Sequence, residues 1–140
     1  MRAYILLFLN LTCLACGSAN EENLSMSGPS NPSELTGNYS ITSLVNTDAL
    51  STDLTINFED NRVYGFSGCN QYFSDFTIKD SNIYMKAIAA SKKMCIDDDL
   101  NRTESNLFKA LQQVTNYKIE DDTLKLFDQD HLLIVAKRQE

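Results

Sequence analysis

From Leu35 onward, short apolar runs alternate with turn signals roughly every eight to twelve residues, the pattern of an antiparallel β domain. Leu54, Ile56 and Phe58 alternate with Thr55, Asn57 and Glu59, which predicts a strand with one dry and one wet face. Glu59-Asp60-Asn61-Arg62 then reads as a turn. Further strands are predicted over Val63 to Ser67, Gln71 to Lys79 and Ile83 to Ile88, the last two separated by Asp80-Ser81-Asn82. Such short connections predict antiparallel hairpins. Between Asp97 and Thr115 the period changes: Leu100, Leu107, Phe108, Leu111 and Val114 recur at helical spacing, which predicts one amphipathic helix. Asp97, Asp98 and Asp99 suit its start, where exposed backbone N–H groups favour negative charge, and Thr103 is a second candidate cap. Tyr117 to Glu120, Thr123 to Phe127 and Leu132 to Ala136 complete the strands, and the last, apolar on both faces, is expected to be central or covered by the helix. The fold class is therefore α+β, mainly β: a curled antiparallel sheet or partly open small barrel with one amphipathic helix packed on it.

The chain has 140 residues, of which residues 34–138 are assigned to this domain. Residues 1–15 have the look of an export leader. Arg2 gives a positive start, and Ala3 to Leu9 form an apolar run continued by Leu11, Leu14 and Ala15. The run is shorter than the roughly 20 residues a membrane-spanning helix needs. Its end, Cys13-Leu14-Ala15-Cys16-Gly17, resembles a bacterial lipobox, which implies that Cys16 is lipidated and becomes the mature N-terminus. Residues 16–33 are then the lipidated cysteine and a linker of Ser, Asn, Gly, Pro and Glu, a composition expected to be flexible. Gly17 does not resemble the aspartate signal for inner-membrane retention, and Glu21-Glu22 loosely resembles the acidic surface-export tag of Bacteroidota lipoproteins. The expected location is the outer membrane, facing either the periplasm or the cell surface.

The formal charge of −7 becomes −8 once Arg2 leaves with the leader. Without a clustered basic surface, nucleic acid is not an expected partner. The expected partners are a membrane, through the lipid anchor, and an envelope protein or lipid, met by a monomer.

Two cysteines remain in the domain, Cys69 and Cys95, and export to an oxidising compartment makes a disulfide the expectation, with two reduced buried thiols as the alternative. No metal site or cofactor is predicted, because His131 is the sole imidazole and the cysteines lack the paired short spacing of zinc motifs. No catalytic residue is predicted either, since His131 falls in a hairpin turn away from any nucleophile. Gly65 and Gly68 read as positions for a bulge or a close backbone approach, and Asn70 as a residue bonding local backbone. Tyr64, Phe66, Tyr72, Phe73, Phe76 and Tyr84 crowd the middle strands. Alternation cannot place all six inside, so Tyr64, Phe66, Tyr72 and Phe73 are the candidates for an exposed binding surface.

Gly65-Phe66-Ser67-Gly68-Cys69-Asn70-Gln71-Tyr72 resembles the G-x-x-G-C-N-x-[YF] signature of the META domain, the family that includes the heat-inducible lipoprotein HslJ. Ala87 to Cys95, ending Lys93-Met94-Cys95, is similar to its second signature, with Glu104 on the helix that follows. Leu35-Thr36-Gly37-Asn38-Tyr39 resembles its opening, with Tyr39 in place of tryptophan. The family-motif positions are thus Gly65, Gly68, Cys69, Asn70, Met94 and Cys95. The resemblance implies a compact β-rich fold with one helix, a cysteine pair, envelope attachment and a role tied to stress or secretion, without an established reaction. Three readings follow: a non-enzymatic envelope lipoprotein working through protein or lipid contacts in envelope maintenance or stress tolerance, a small-ligand or lipid carrier, and a hydrolase with an unrecognised site.

Overall fold

A computed structural model describes residues 35–140, apart from positions 51 and 81. The elements run β1 (Gly37–Leu44), β2 (Thr55–Glu59), β3 (Arg62–Phe66), β4 (Gln71–Lys79), β5 (Asn82–Met85), β6 (Ala89–Ala90), α1 (Asp98–Gln113), β7 (Asn116–Glu120), β8 (Thr123–Asp128) and β9 (His131–Arg138). The fold is mainly β. All pairings are antiparallel, and the sheet order β3-β2-β1-β9-β8-β7-β5-β4-β6 returns on itself through an additional β3–β4 pairing. The result is an irregular ring. One joint is thin: β5 and β7 pair only at Asn82 and Asn116, reinforced by the Ile83 N–H donating to the Thr115 carbonyl at 2.9 Å.

Short polar turns make the ring possible. Glu59 faces Arg62, Glu120 faces Thr123 and Asp128 faces His131, so each hairpin turns in two residues. Asp60, Asn61, Asp121 and Gln129 take positive φ there, as tight turns matching strand twist require. Asp and Asn tolerate that conformation better than most residues.

Inside the ring, Tyr39, Phe58 and Phe76 form a chain of edge-to-face contacts, with centroids 6.4 Å and then 5.4 Å apart. Ile56, Val63, Ile83, Leu124, Leu126 and Ile134 fill the space around them. The predicted helix is present. Asp97 caps it, its Oδ1 accepting from the Asp99 N–H at 2.8 Å, while Thr103 lies buried within the helix and is not the cap. Leu107, Ala110 and Leu111 are its buried face, and Phe108 packs edge-on against Tyr72 at 5.6 Å. The last strand is central, pairing with β1 on one side and β8 on the other.

The predicted strand over Ile83 to Ile88 ends early, at Met85, and the chain rejoins β4 only at Ala89–Ala90. Between them the backbone is held differently: the Lys86 N–H donates to the Asp75 carbonyl at 2.9 Å, and Ser74 Oγ donates to the Lys86 carbonyl at 2.9 Å.

Tyr72 is tied to the core by its hydroxyl, which donates to the Thr55 carbonyl at 2.8 Å. Tyr72 lies opposite Gly65 in the β3–β4 register, and a side chain on Gly65 would collide with the Thr55 carbonyl and press on the Tyr72 hydroxyl. Glycine therefore opens the path by which Tyr72 reaches across β3 to β2. Burial holds this hydroxyl far above the usual tyrosine value, because the phenolate would lose its water. The unfolded chain releases that proton near pH 10 and the folded chain keeps it, so above pH 10 the unfolded state binds fewer protons and stability falls with pH. Tyr72→Phe is expected to lose about 1–2 kcal/mol at neutral pH. It should also remove about 1.4 kcal/mol per pH unit from the alkaline decline, both read from urea midpoints at pH 7 to 11.

Candidate functional site

The loop between β3 and β4 is a tight turn closed on itself. The Ser67 N–H donates to the Asn70 carbonyl at 2.9 Å, and the Asn70 N–H donates to Ser67 Oγ at 3.1 Å. Gly68 at its tip has φ +93°, a conformation that side chains resist, and packs close to Thr52 and Leu54. Next to it, Cys69 is disulfide-bonded to Cys95, with Cα atoms 6.1 Å apart. The expected bridge is present, so the alternative of two reduced thiols is set aside.

Asn70 is 3% exposed, and each polar atom of its side chain has a use. Nδ2 donates to Glu104 Oε1 at 3.1 Å. Oδ1 accepts from Ser91 Oγ at 2.8 Å and from the Lys93 N–H at 2.9 Å. Ser91 is itself knitted to β4, accepting from the Gln71 N–H at 3.2 Å and donating its own N–H to the Gln71 carbonyl at 3.0 Å. The second carboxylate oxygen of Glu104 is bonded by the hydroxyl of Ser67, which is fully buried. The Asn101 side-chain amide donates to the Cys95 carbonyl at 3.1 Å, adding a second tie between α1 and the loop. Three distant stretches, the β3–β4 turn, the Ser91–Cys95 segment and α1, thus meet in one polar knot beside the disulfide. Among the described residues, no buried side-chain nitrogen or oxygen lacks a partner.

The structure gathers Gly65, Gly68, Cys69, Asn70 and Cys95 as expected, but with a different role for Asn70. Its side chain does not bond local backbone; it spans 21 to 34 residues of sequence to reach Ser91 and Glu104. Met94 lies outside the knot with its side chain 96% exposed, and Ile96, 101% exposed, points out beside it. Sequence reading passed over Ile96, and it gave Ser67 and Ser91 only as positions within the family signatures, not as bonding partners of Glu104 and Asn70. An isoleucine flanked by cysteine and aspartate, on no strand or helical face, was the available signal for the first.

The four aromatic residues proposed as a binding surface divide. Tyr64 and Phe73 stand directly opposite each other on the outer face, with Arg62 5.2 Å above the Phe73 ring, and Phe66 lies on the same face, half-buried. Tyr72 is a correction. It is 2% exposed because strand alternation turns it inward with Ser74 and Phe76. Cys16 lies outside the described residues. His131 opens β9 at the surface, opposite Asp128.

A model of the META domain matches residues 33–140, which include the whole knot. The chain belongs to the META domain family. Its fold is similar to that of a protein from Burkholderia xenovorans solved by NMR, at a TM-score of 0.62 and 15% identity, covering 96% of this chain and 99% of that one. A second NMR structure aligns at a TM-score of 0.59 and 18% identity over 77% of this chain and 94% of its own. These likenesses concern the fold. None of the curated proteins matches the chain in sequence.

The disulfide and the Asn70 amide hold the same META-domain loop, so their contributions should couple. The bridge closes a sequence separation of 26 residues, for which loop-closure entropy gives about 3.5 kcal/mol. Asn70→Ala leaves the Glu104 carboxylate and Lys93 N–H short of partners and is expected to cost about 2–4 kcal/mol. In a double-mutant cycle with Cys69→Ala/Cys95→Ala, the combined loss should fall about 1 kcal/mol or more short of additive, as measured by urea unfolding of each variant.

Proposed function

We propose that this META-domain chain is a non-enzymatic envelope lipoprotein, exported and attached through Cys16, that works by surface contact with a protein or lipid in envelope maintenance or stress tolerance. The observation that carries the reading is how the family signature is used. Ser67, Asn70, Ser91 and Glu104 satisfy one another around a disulfide, and what they hold up to solvent is a loop with two uncovered apolar side chains. That is the construction of a presenting surface. The disulfide supports an oxidising compartment such as the periplasm or cell exterior. The acidic balance of 19 Asp and Glu against 12 Lys and Arg argues against nucleic acid as the partner.

A carrier is less well supported. The ring is filled by Tyr39, Phe58, Phe76 and their aliphatic neighbours, so a ligand would have to displace packed side chains. Among the described residues, one surface cleft of about 230 Å³ is lined by Asn46, Thr47, Asp99 and Arg102, and another, of about 380 Å³, by Glu59, Arg62, Tyr64 and Asp75. Both are polar and open, unlike a lipid pocket.

Lipid attachment is tested by expressing the full chain and its Cys16→Ala variant in a bacterium with lipoprotein processing. The unaltered chain should fractionate with the membranes and carry an acylated N-terminal cysteine by mass spectrometry. Cys16→Ala should appear in the soluble fraction. A mature N-terminus at another residue, without acyl groups, would overturn the proposal.

A further inference from the structure

The stretch from Lys92 to Asp99 carries its charges in two blocks of opposite sign around an apolar centre. Lys92 and Lys93 come first, then Met94, Cys95 and Ile96, then Asp97, Asp98 and Asp99. Apart from Cys95, all of these residues are exposed, and Met94 and Ile96 are 96% and 101% exposed. The blocks do not pair with each other. Among the described residues Lys92, Lys93, Asp97 and Asp98 form no ion pair, and Asp99 is met only by Arg102 at 3.4 Å. Asp97 spends one carboxylate oxygen on capping α1. The backbone between the blocks is held in place, because Cys95 is bonded to Cys69, its carbonyl accepts from the Asn101 amide, and the Lys93 N–H donates to Asn70.

We propose that this loop is the contact between two copies of the chain, docked about a two-fold axis with their loops antiparallel, so that Lys92 and Lys93 of each copy meet the Asp97–Asp99 run of the other and Met94 and Ile96 pack between them. The order of the charges picks the occupant. Two such loops laid antiparallel bring every block against its opposite, and one set of contacts serves both copies, which is what an isologous interface requires. A surface of a single sign would attract one end of the loop and repel the other. An apolar centre with a charged rim is also the layout of an interface, in which the centre loses its water and the charges set the register. The held backbone loses little freedom on docking. The contact is far smaller than a standard interface of roughly 20–30 residues a side, so the dimer is weak and reversible. The formal charge of −7 on each full chain opposes approach, an effect largely screened beyond about 8 Å at physiological ionic strength. This contact goes beyond the reading above and is independent of attachment through Cys16.

Full chain grown on ordinary nitrogen is mixed with full chain grown on heavy nitrogen, both in nonionic detergent, and treated with a carbodiimide, which joins lysine amines to carboxylates in direct contact. Peptides that link Lys92 or Lys93 of one isotopic form to Asp97, Asp98 or Asp99 of the other are expected. Lys92→Glu with Lys93→Glu makes the loop wholly acidic, and Asp98→Lys with Asp99→Lys makes it mainly basic. Each variant alone should dimerise at least about tenfold more weakly in sedimentation equilibrium, and an equal mixture of the two should regain hybrid dimers. Met94→Ser with Ile96→Ser should weaken the dimer and leave the unfolding midpoint of the single chain unchanged, because neither side chain is buried in it. The lysine reversal breaks no side-chain bond of the fold, so it decides the matter even where the aspartate changes disturb the start of α1. A chain that stays monomeric at millimolar concentration, dimers that the lysine reversal leaves unchanged, or folded variants whose mixture gives no hybrid dimer would each overturn the proposal.

Discussion

A half-buried carboxylate that forms no ion pair among the described residues has to be met by donors, and the placement of Glu104 among Ser67 and Asn70 is the constraint on which the rest of the site depends. Charge withdrawn from water without such donors is costly. Because Asn70 turns its NH2 group toward Glu104, its carbonyl oxygen must face the other way, and there it accepts from Ser91 and the Lys93 backbone. One amide orientation therefore couples the position of α1 to the path of a loop that belongs to neither the helix nor the ring. The disulfide adds a covalent tie at the same place, so the segment leading into α1 is fixed at two points in succession.

Much of the fold was legible because local chemistry and global pairing agree. Asp60-Asn61, Asp121-Asp122 and Gln129-Asp130 each turn a hairpin in two residues, so polar pairs between apolar runs located the strands and their partners. The helix announced itself through the spacing of Leu107, Leu111 and Val114 and the aspartates at its start. β1, over Gly37–Leu44, was not predicted as a strand, for a specific reason. Tyr39 and Ile41 alternate correctly, but the register shifts between Ile41 and Ser43, and Leu44 comes inward one residue out of phase. β6 is two residues long and has no pattern to show.

The site was less legible than the fold because its bonds are long-range. Gly65, Gly68 and the two cysteines carry their requirement in their residue type: absent side chain, positive φ or oxidisable sulfur. Asn70 does not. An asparagine in a turn has an adequate local explanation, and nothing in the neighbouring residues distinguishes it from one aimed at a helix 34 positions away. Tyr72 shows the opposite case. Its inward direction follows from the same alternation that places Phe76 inside and Phe73 outside, so treating the aromatic residues as a group obscured a parity that the strand already contained.

The knot is expensive for what it orders. A small domain that needed only stability would gain more dependably from packed apolar residues at these positions than from a half-buried carboxylate that must be met by several donors. What a polar network and a disulfide supply instead is a fixed geometry, and the segment they fix buries neither of its apolar side chains. If the loop served the interior, Met94 and Ile96 would face it. Their outward direction, beside a backbone held at Cys95 and Lys93, means that the network fixes the path of this loop without adding its apolar side chains to the core.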